Sequence, residues 1–268
     1  MAVQLSMEVP PVWKCIDIVV IISLKDAHHR RSLLTTELRR VGLATVPTLY
    51  SFETQHPTNT RLGIFQAHQR ALSLALHHSP LAKTILILED DVQFAPSSVL
   101  TQHGEPFRGI WEKASRGARL CCRLGALSFT PIWGTRYTSI RSTEYMLMAH
   151  ANLFSRALAE HIVKHVQYRG LPWDHHLNFL VSGEENTIVI PNIAFQRVQS
   201  VENPSTNRNS FMRHLTSGVM APDVQLALTT KLAAVGAELN TVFNCSGPLS
   251  LVLVFFTLFF LYIKLRQC

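Results

Sequence analysis

Hydrophobic and polar positions change period several times along the first third of the chain. Cys15 to Leu24, "CIDIVVIISL", is a β-branched run that predicts a buried strand. In "KDAHHRRSLLTTELRRVGL", Leu33, Leu34, Leu38 and Val41 recur at helical spacing, and Gly42 stands where a helix C-cap belongs. "TVPTLYSF" predicts a second short strand. "IFQAHQRALSLALHH" puts Ile64, Ala67, Ala71, Leu74 and Ala75 on one side of a helix that Ser79-Pro80 ends. Thr84 to Leu88 is the next strand. This strand–helix–strand–helix–strand order predicts an α/β domain with a mostly parallel central sheet.

Beyond Phe94 the periods weaken. "ARLCCRLGALSF" predicts another strand, and "EYMLMAHANLFSRALAEHIVKHV" a strand-like start followed by a helix from Asn152 to Val166. "TIVIPNIAFQRVQS" reads as a late strand and an extended loop, and "VENPSTNRNSFMRHLTSG" as polar turns. No internal repeat is visible. The expected organisation is an extension over 1–14, one domain over 15–217, a helical stalk over 218–246, a membrane anchor over 247–263 and a short tail over 264–268. The anchor is expected because "GPLSLVLVFFTLFFLYIKLRQC" holds an uncharged run of about 17 residues with no polar face. The protein is thus expected in a membrane through a single C-terminal pass, an endomembrane such as the ER or Golgi if the source is eukaryotic or viral.

Two features disagree about which side the domain faces. Lys264 and Arg266 favour a cytosolic tail. "MAVQLSMEVPPVWK" has no apolar core for a cleavable signal, which favours tail insertion with the domain in the cytosol. The sequon Asn244-Cys245-Ser246 lies too near the membrane to decide between them.

The 268 residues suffice for a sizeable core, and a charged fraction of 16% argues against wholesale disorder. A formal charge of +7 suits an anionic partner, but the basic residues come in scattered pairs such as Arg30-Arg31 and Arg39-Arg40. A nucleic-acid partner is therefore not expected. Five cysteines without a C-x-x-C pair predict reduced thiols and support neither a zinc site nor a disulfide framework.

Candidate chemistry enters at "TILILEDDVQF", where a strand runs straight into Glu89, Asp90 and Asp91. Alternation puts Glu89 and Asp91 on one face and Asp90 on the other. Ligands of open parallel sheets bind beyond the carboxyl ends of the strands. An acid-x-acid pair there is placed to hold a hard divalent cation, which would offset the mutual repulsion and suit a diphosphate. Alternatively the strand ends in a turn whose acids face solvent.

Five ordered segments resemble one family. "LILEDDV" is similar to the acidic signature of the family 25 glycosyltransferases, which include lipooligosaccharide and collagen galactosyltransferases. "GIFQAHQRAL" resembles that family's G-x-x-x-S-H pattern at Gly63 and His68. "VVIISLKDAHHRR" resembles its opening, "LPWDHHL" its P-x-D segment, and "PNIAFQRVQSVENPST" its closing region, so that the resemblance spans roughly Asp17 to Ser205.

It implies a GT-A-like nucleotide-sugar-binding fold, a donor such as a UDP-hexose, and Mn2+ or Mg2+. By position, Glu89 and Asp91 would bracket the metal, and Asp90 would orient the loop. Gly63 and His68 would shape the donor side, with Lys25 and Arg30 facing the nucleotide. Asp174 would be the acceptor-side acid or base, although it could equally cap a helix. His176 or His214 would complete the metal shell. The implied reaction, an inverting one by the family pattern, moves a hexose (galactose or glucose) to a glycan, lipid or protein hydroxyl.

The chain departs from the pattern. Ser23 replaces an Asn, Lys25 an Arg, and Ala67 the Ser before His68. The alternative is accordingly a catalytically silent relative that binds glycan or membrane. Adjacent histidines (His28-His29, His77-His78, His175-His176) point to different faces and are poor chelators of one ion. Trp133 and Trp173 could stack on a sugar or pack in the core, and Tyr137 and Arg141 could reach an acceptor. Neither a G-x-S-x-G elbow nor a Walker A loop occurs.

Overall fold

The structure is a computed structural model that describes residues 11–96, 100–101, 104–128, 140–142, 146–181, 185–189 and 193–196. After a 3-10 turn at Pro11–Cys15 come β1 (Ile18–Leu24), α1 (His28–Arg40), β2 (Thr48–Glu53), α2 (Thr60–His78), β3 (Thr84–Glu89) and β4 (Val92–Phe94). There follow α3 (Gly104–Ser115), β5 (Cys121–Arg123), β6 (Leu127–Ser128), β7 (Ile140–Ser142) and β8 (Met146–Leu147). β9 (Ala151–Ser155), α4 (Arg156–His165), α5 (Trp173–Leu180), β10 (Asn186–Val189) and β11 (Ala194–Gln196) complete the described elements.

The main sheet has seven strands in the order β2-β1-β3-β9-β5-β10-β7. β2, β1 and β3 pair in parallel, as do β5 and β10, whereas β9 and β7 run against their neighbours. The sheet is therefore mostly parallel and interrupted by reversed strands. β4 pairs with β11 and β6 with β8 in separate two-stranded ladders.

Period-two burial explains the layers. Val19, Ile21, Leu86, Leu88, Cys122 and Leu153 pack on one face with Leu34 and Leu38 of α1 and Phe107 and Ile110 of α3. Ile18, Val20, Ile85, Ile87, Cys121 and Phe154 pack on the other with Leu72 of α2, Leu158 and Ile162 of α4, and Leu177 of α5. Both faces of the central strands are covered, which is why they read as unbroken apolar runs. Gly42 follows α1 at φ 77, the left-handed conformation that ends a helix most easily when there is no Cβ.

Some boundaries differ from the sequence expectation. Cys15 belongs to the 3-10 turn, so β1 starts at Ile18. The helix expected from Asn152 starts at Arg156, because residues 151–155 form a buried strand between β3 and β5. Ser155 ends that strand and caps α4 through its hydroxyl, which accepts from Leu158 N–H. Among the described residues no helix is long and apolar enough to cross a membrane. The expected stalk and anchor, His214, Trp133 and Tyr137 lie outside the described residues.

Candidate functional site

The connectivity sets where a ligand site is expected. From β1 the chain leaves over one face through α1 to β2, then returns over the other face through α2 to β3 on the far side of β1. The order reverses at β1, with β2 on one side of it and β3 on the other, and open α/β sheets bind ligands beyond the carboxyl ends of the strands at such a reversal. Ser23, Lys25 and the start of α1 lie at the end of β1, and Glu89, Asp90 and Asp91 at the end of β3. Ile22 is in register with Glu89, which brings the two ends level.

The three acids meet three environments. Glu89 ends β3 and faces α2, where its Oε1 lies 3.5 Å from His68 Nε2, long for a hydrogen bond but close for an ion pair. Its side chain keeps 31% exposure. Burial pushes its carboxyl up, but His68, His150 and Arg30 outweigh this and hold it below the ordinary carboxylate range. His68 is buried and stacks on Trp173, with centroids 4.7 Å apart.

Asp90 turns to the other face. Ser23 Oγ donates to its Oδ2 at 2.6 Å, and Arg30 Nε lies 3.3 Å from its Oδ1. Arg31 donates to Ser23 Oγ at 2.9 Å. Burial raises the Asp90 carboxyl despite Ser23 and Arg30. Ser23, a departure from the family pattern, thus has a defined partner.

Asp91 lies past the strand end, in the turn before β4. Its Oδ2 accepts from Gln196 Nε2 at 2.9 Å, while Oδ1 is buried without a hydrogen-bond partner among the described residues. Burial, and next the negative charge of Glu89, push this carboxyl up to about 7. Strand alternation accounts for Glu89 and Asp90. Asp91 escapes it because the backbone has already turned, so its direction follows from β11.

Asp174 sits apart, in the first turn of α5, whose N-cap is Pro172. The capping alternative for Asp174 is therefore corrected: it lies inside the helix start. Its Oδ2 accepts from Met148 N–H and its Oδ1 from His175 N–H, both at 3.0 Å. Met148 has φ 75, unusual for a residue with a side chain. Buried Arg123 donates to the carbonyls of Met148 and Asp174 and to Asn178 Oδ1. The corner so held leads into His150, whose carbonyl accepts from Glu89 N–H at 2.9 Å.

Other expected residues fall as follows. Lys25 is exposed, and its backbone N–H donates to Glu53 O. Gly63 lies against His56, whose Cβ would be 2.7 Å from an added Cβ, so a close loop approach accounts for the glycine. His176 is buried against Phe65 and Tyr168, and Arg169 N–H approaches its Nε2 at 3.4 Å. That packing corrects its expected place in a metal shell. Trp173 is a core residue, not a sugar platform, being buried between His68 and Phe65. Cys121 and Cys122 are buried in β5, where burial pushes their thiols up to about 11 and about 12.

Sequence reasoning did not single out His150, Arg123 or Arg31, and it held Gln196 only as part of the closing segment that resembles the family pattern. His150 is buried, and burial lowers its pKa against the pull of Glu89 and of a backbone hydrogen bond with Ala194. No spacing signal marks such residues, because only the pairing of distant strands brings them to β3.

Among the described residues no group of three or more His, Cys, Asp or Glu side chains is arranged to hold a metal ion. Glu89 and Asp91 nevertheless fit two sites of a hard cation that takes its remaining ligands from water and phosphate, as Mg2+ does. The partnerless Asp91 Oδ1 is the observation that fits.

No protein-family model matches the chain, and no curated protein matches it. Among solved structures it is similar to a glycosyltransferase involved in the glycosylation of the major capsid of PBCV-1, with 12% identity over 60% of this chain and 74% of that one, TM-score 0.37. It is also similar to mannose-1-phosphate geranyltransferase from Thermus thermophilus, with 14% identity over 64% and 72%, TM-score 0.37. A third is CMP:2-keto-3-deoxy-manno-octonic acid synthetase, with 11% identity over 64% and 87%, TM-score 0.35. At such identities no residue role follows from these similarities.

Proposed function

We propose that the chain is a glycosyltransferase that moves a hexose from a nucleotide-sugar donor, a UDP-hexose by the family 25 resemblance, to a glycan, lipid or protein hydroxyl. The observation that carries this reading is the bare, buried Asp91 Oδ1 next to the charge of Glu89 at the carboxyl end of β3. Glu89 and Asp91 would hold Mn2+ or Mg2+, which when bound supplies charge stabilisation to a departing diphosphate. Glu89 stays ionised through His68, His150 and Arg30. Asp90, tied to Ser23 and Arg30, fixes the turn from which Asp91 projects. Lys25, exposed at the end of β1, favours an anionic donor near the acidic turn. Anchoring through residues 247–263 belongs to the same proposal and rests on their apolar run.

Donor turnover with UDP-sugars and Mn2+ tests the reading. Activity unchanged by chelator and by Asp91→Asn would sink the metal role. One observation favours the second reading, a catalytically silent glycan binder: both Asp174 oxygens already accept backbone amides, which fits a strut better than a base. Calorimetry separates the two, since a glycan-only binder takes up glycan without UDP and Mn2+.

A further inference from the structure

Gln196 ends β11 directly opposite Val92 in the antiparallel β4–β11 pair, one position from Asp91. Its place is set by rigid backbone. Ile193 N–H and Ala194 N–H both donate to Leu124 O, at 2.8 and 3.1 Å, and Ala95 N–H donates to Ile193 O at 2.9 Å. Gly125 permits this approach, because a Cβ there would lie 1.9 Å from Ala194 O. From this platform the Gln196 amide donates to Asp91 Oδ2, and Oδ1 accepts from no group among the described residues.

A carboxylate turns readily about its terminal bond and can offer a cation either oxygen or both. A donor fixed on one oxygen removes that freedom. An arginine in the same place would also cancel charge that a cation needs, whereas a neutral amide orients the group and leaves it anionic when deprotonated. We infer that Gln196 is a positioning residue that commits Asp91 to contact a divalent cation through Oδ1 alone. This rests on the metal reading proposed above and adds to it which oxygen is used and what enforces the choice.

The test is Mn2+ binding to the full chain, the metal alone, followed by the electron paramagnetic resonance of unbound Mn2+. Gln196→Leu keeps the volume and loses the donor. Gln196→Asn keeps the amide on a shorter stem, and guards against a Leu variant that fails to fold. Metal-free thermal unfolding establishes that the variant compared is folded. The expected result is a Mn2+ affinity about 10–100-fold weaker, the range typical for loss of an outer partner of a metal ligand. A folded variant with wild-type Mn2+ affinity, when Asp91→Asn has lost binding, overturns this inference and leaves the metal reading standing. A wild-type chain that takes up no Mn2+ overturns both.

Discussion

On the β1–α1 side of the acidic turn each Asp90 oxygen has a partner, Ser23 for one and Arg30 for the other. On the β4–β11 side Asp91 has one oxygen tied to Gln196 and one bare. Both carboxyls are raised by burial, yet Asp91 is pushed as far as about 7, because its partner Gln196 is neutral and the negative charge of Glu89 adds to burial. An acid with a hydrogen-bond donor and a counter-charge holds the turn together. A bare one stores unfavourable charge that a bound cation would relieve. Adjacent residues of nearly one chemistry therefore have different uses, decided by what packs against them.

The largest effect expected on this contrast is at Asp91. Asp91→Asn should lower donor turnover about 100–1000-fold, the scale of losing one preorganised electrostatic group, when initial rates are measured with saturating Mn2+. A smaller loss would mean that Asp91 resembles Asp90 more than proposed. Asp90→Ala should instead act on stability, by about 1–3 kcal/mol in urea unfolding, because the buried Ser23 hydroxyl and Arg30 lose the group they face.

The pH dependence sharpens the same contrast. The folded Asp91 carboxyl lies above its ordinary value of 3.8, so its contribution to stability is present at low pH and lost as pH rises through about 7. Metal-free wild type should thus become less stable between about pH 4 and about pH 7, added Mn2+ should restore it, and Asp91→Asn should flatten the slope. Urea titrations at the two ends of that window measure this. At Asp174, Asn keeps one acceptor and sets an NH2 group against a backbone N–H, for a loss of about 1–3 kcal/mol. If the residue is a strut, turnover of the folded fraction should change little; a collapse of kcat at unchanged stability would reinstate it as the base. The smallest effect is at Ser23. Ser23→Ala should cost about 1 kcal/mol, read as a drop in Tm, through loss of the hydroxyl on Asp90.

Much of this arrangement could be read before any coordinates. The apolar runs of β1 and β3, the helical spacing in α1 and α2, and the acids at the end of β3 are local patterns. A strand buried on both faces has to be apolar throughout, and a helix on a sheet has to repeat near 3.6. Their order alone implied a ligand site beyond β3. The reversal of β9 was not legible, since residues 151–155 are as compatible with a helix start as with a strand until β3 and β5 flank them.

The triplet Glu89-Asp90-Asp91 and its place at a strand end were thus determined by the sequence itself, because the apolar-to-acidic boundary is a property of neighbouring residues; alternation set the directions of Glu89 and Asp90 but not of Asp91. Which acid has a counter-charge and which is bare was decided only by tertiary structure. Ser23 reaches Asp90 from 67 residues upstream with Arg30 beside it, and Gln196 reaches Asp91 from 105 residues downstream. His150 meets Glu89 through a corner held by Arg123 and Asp174. Hydrogen bonds and charges act over a few ångströms of space, whatever the separation along the chain, and so a carboxylate's chemistry is set where distant strands converge.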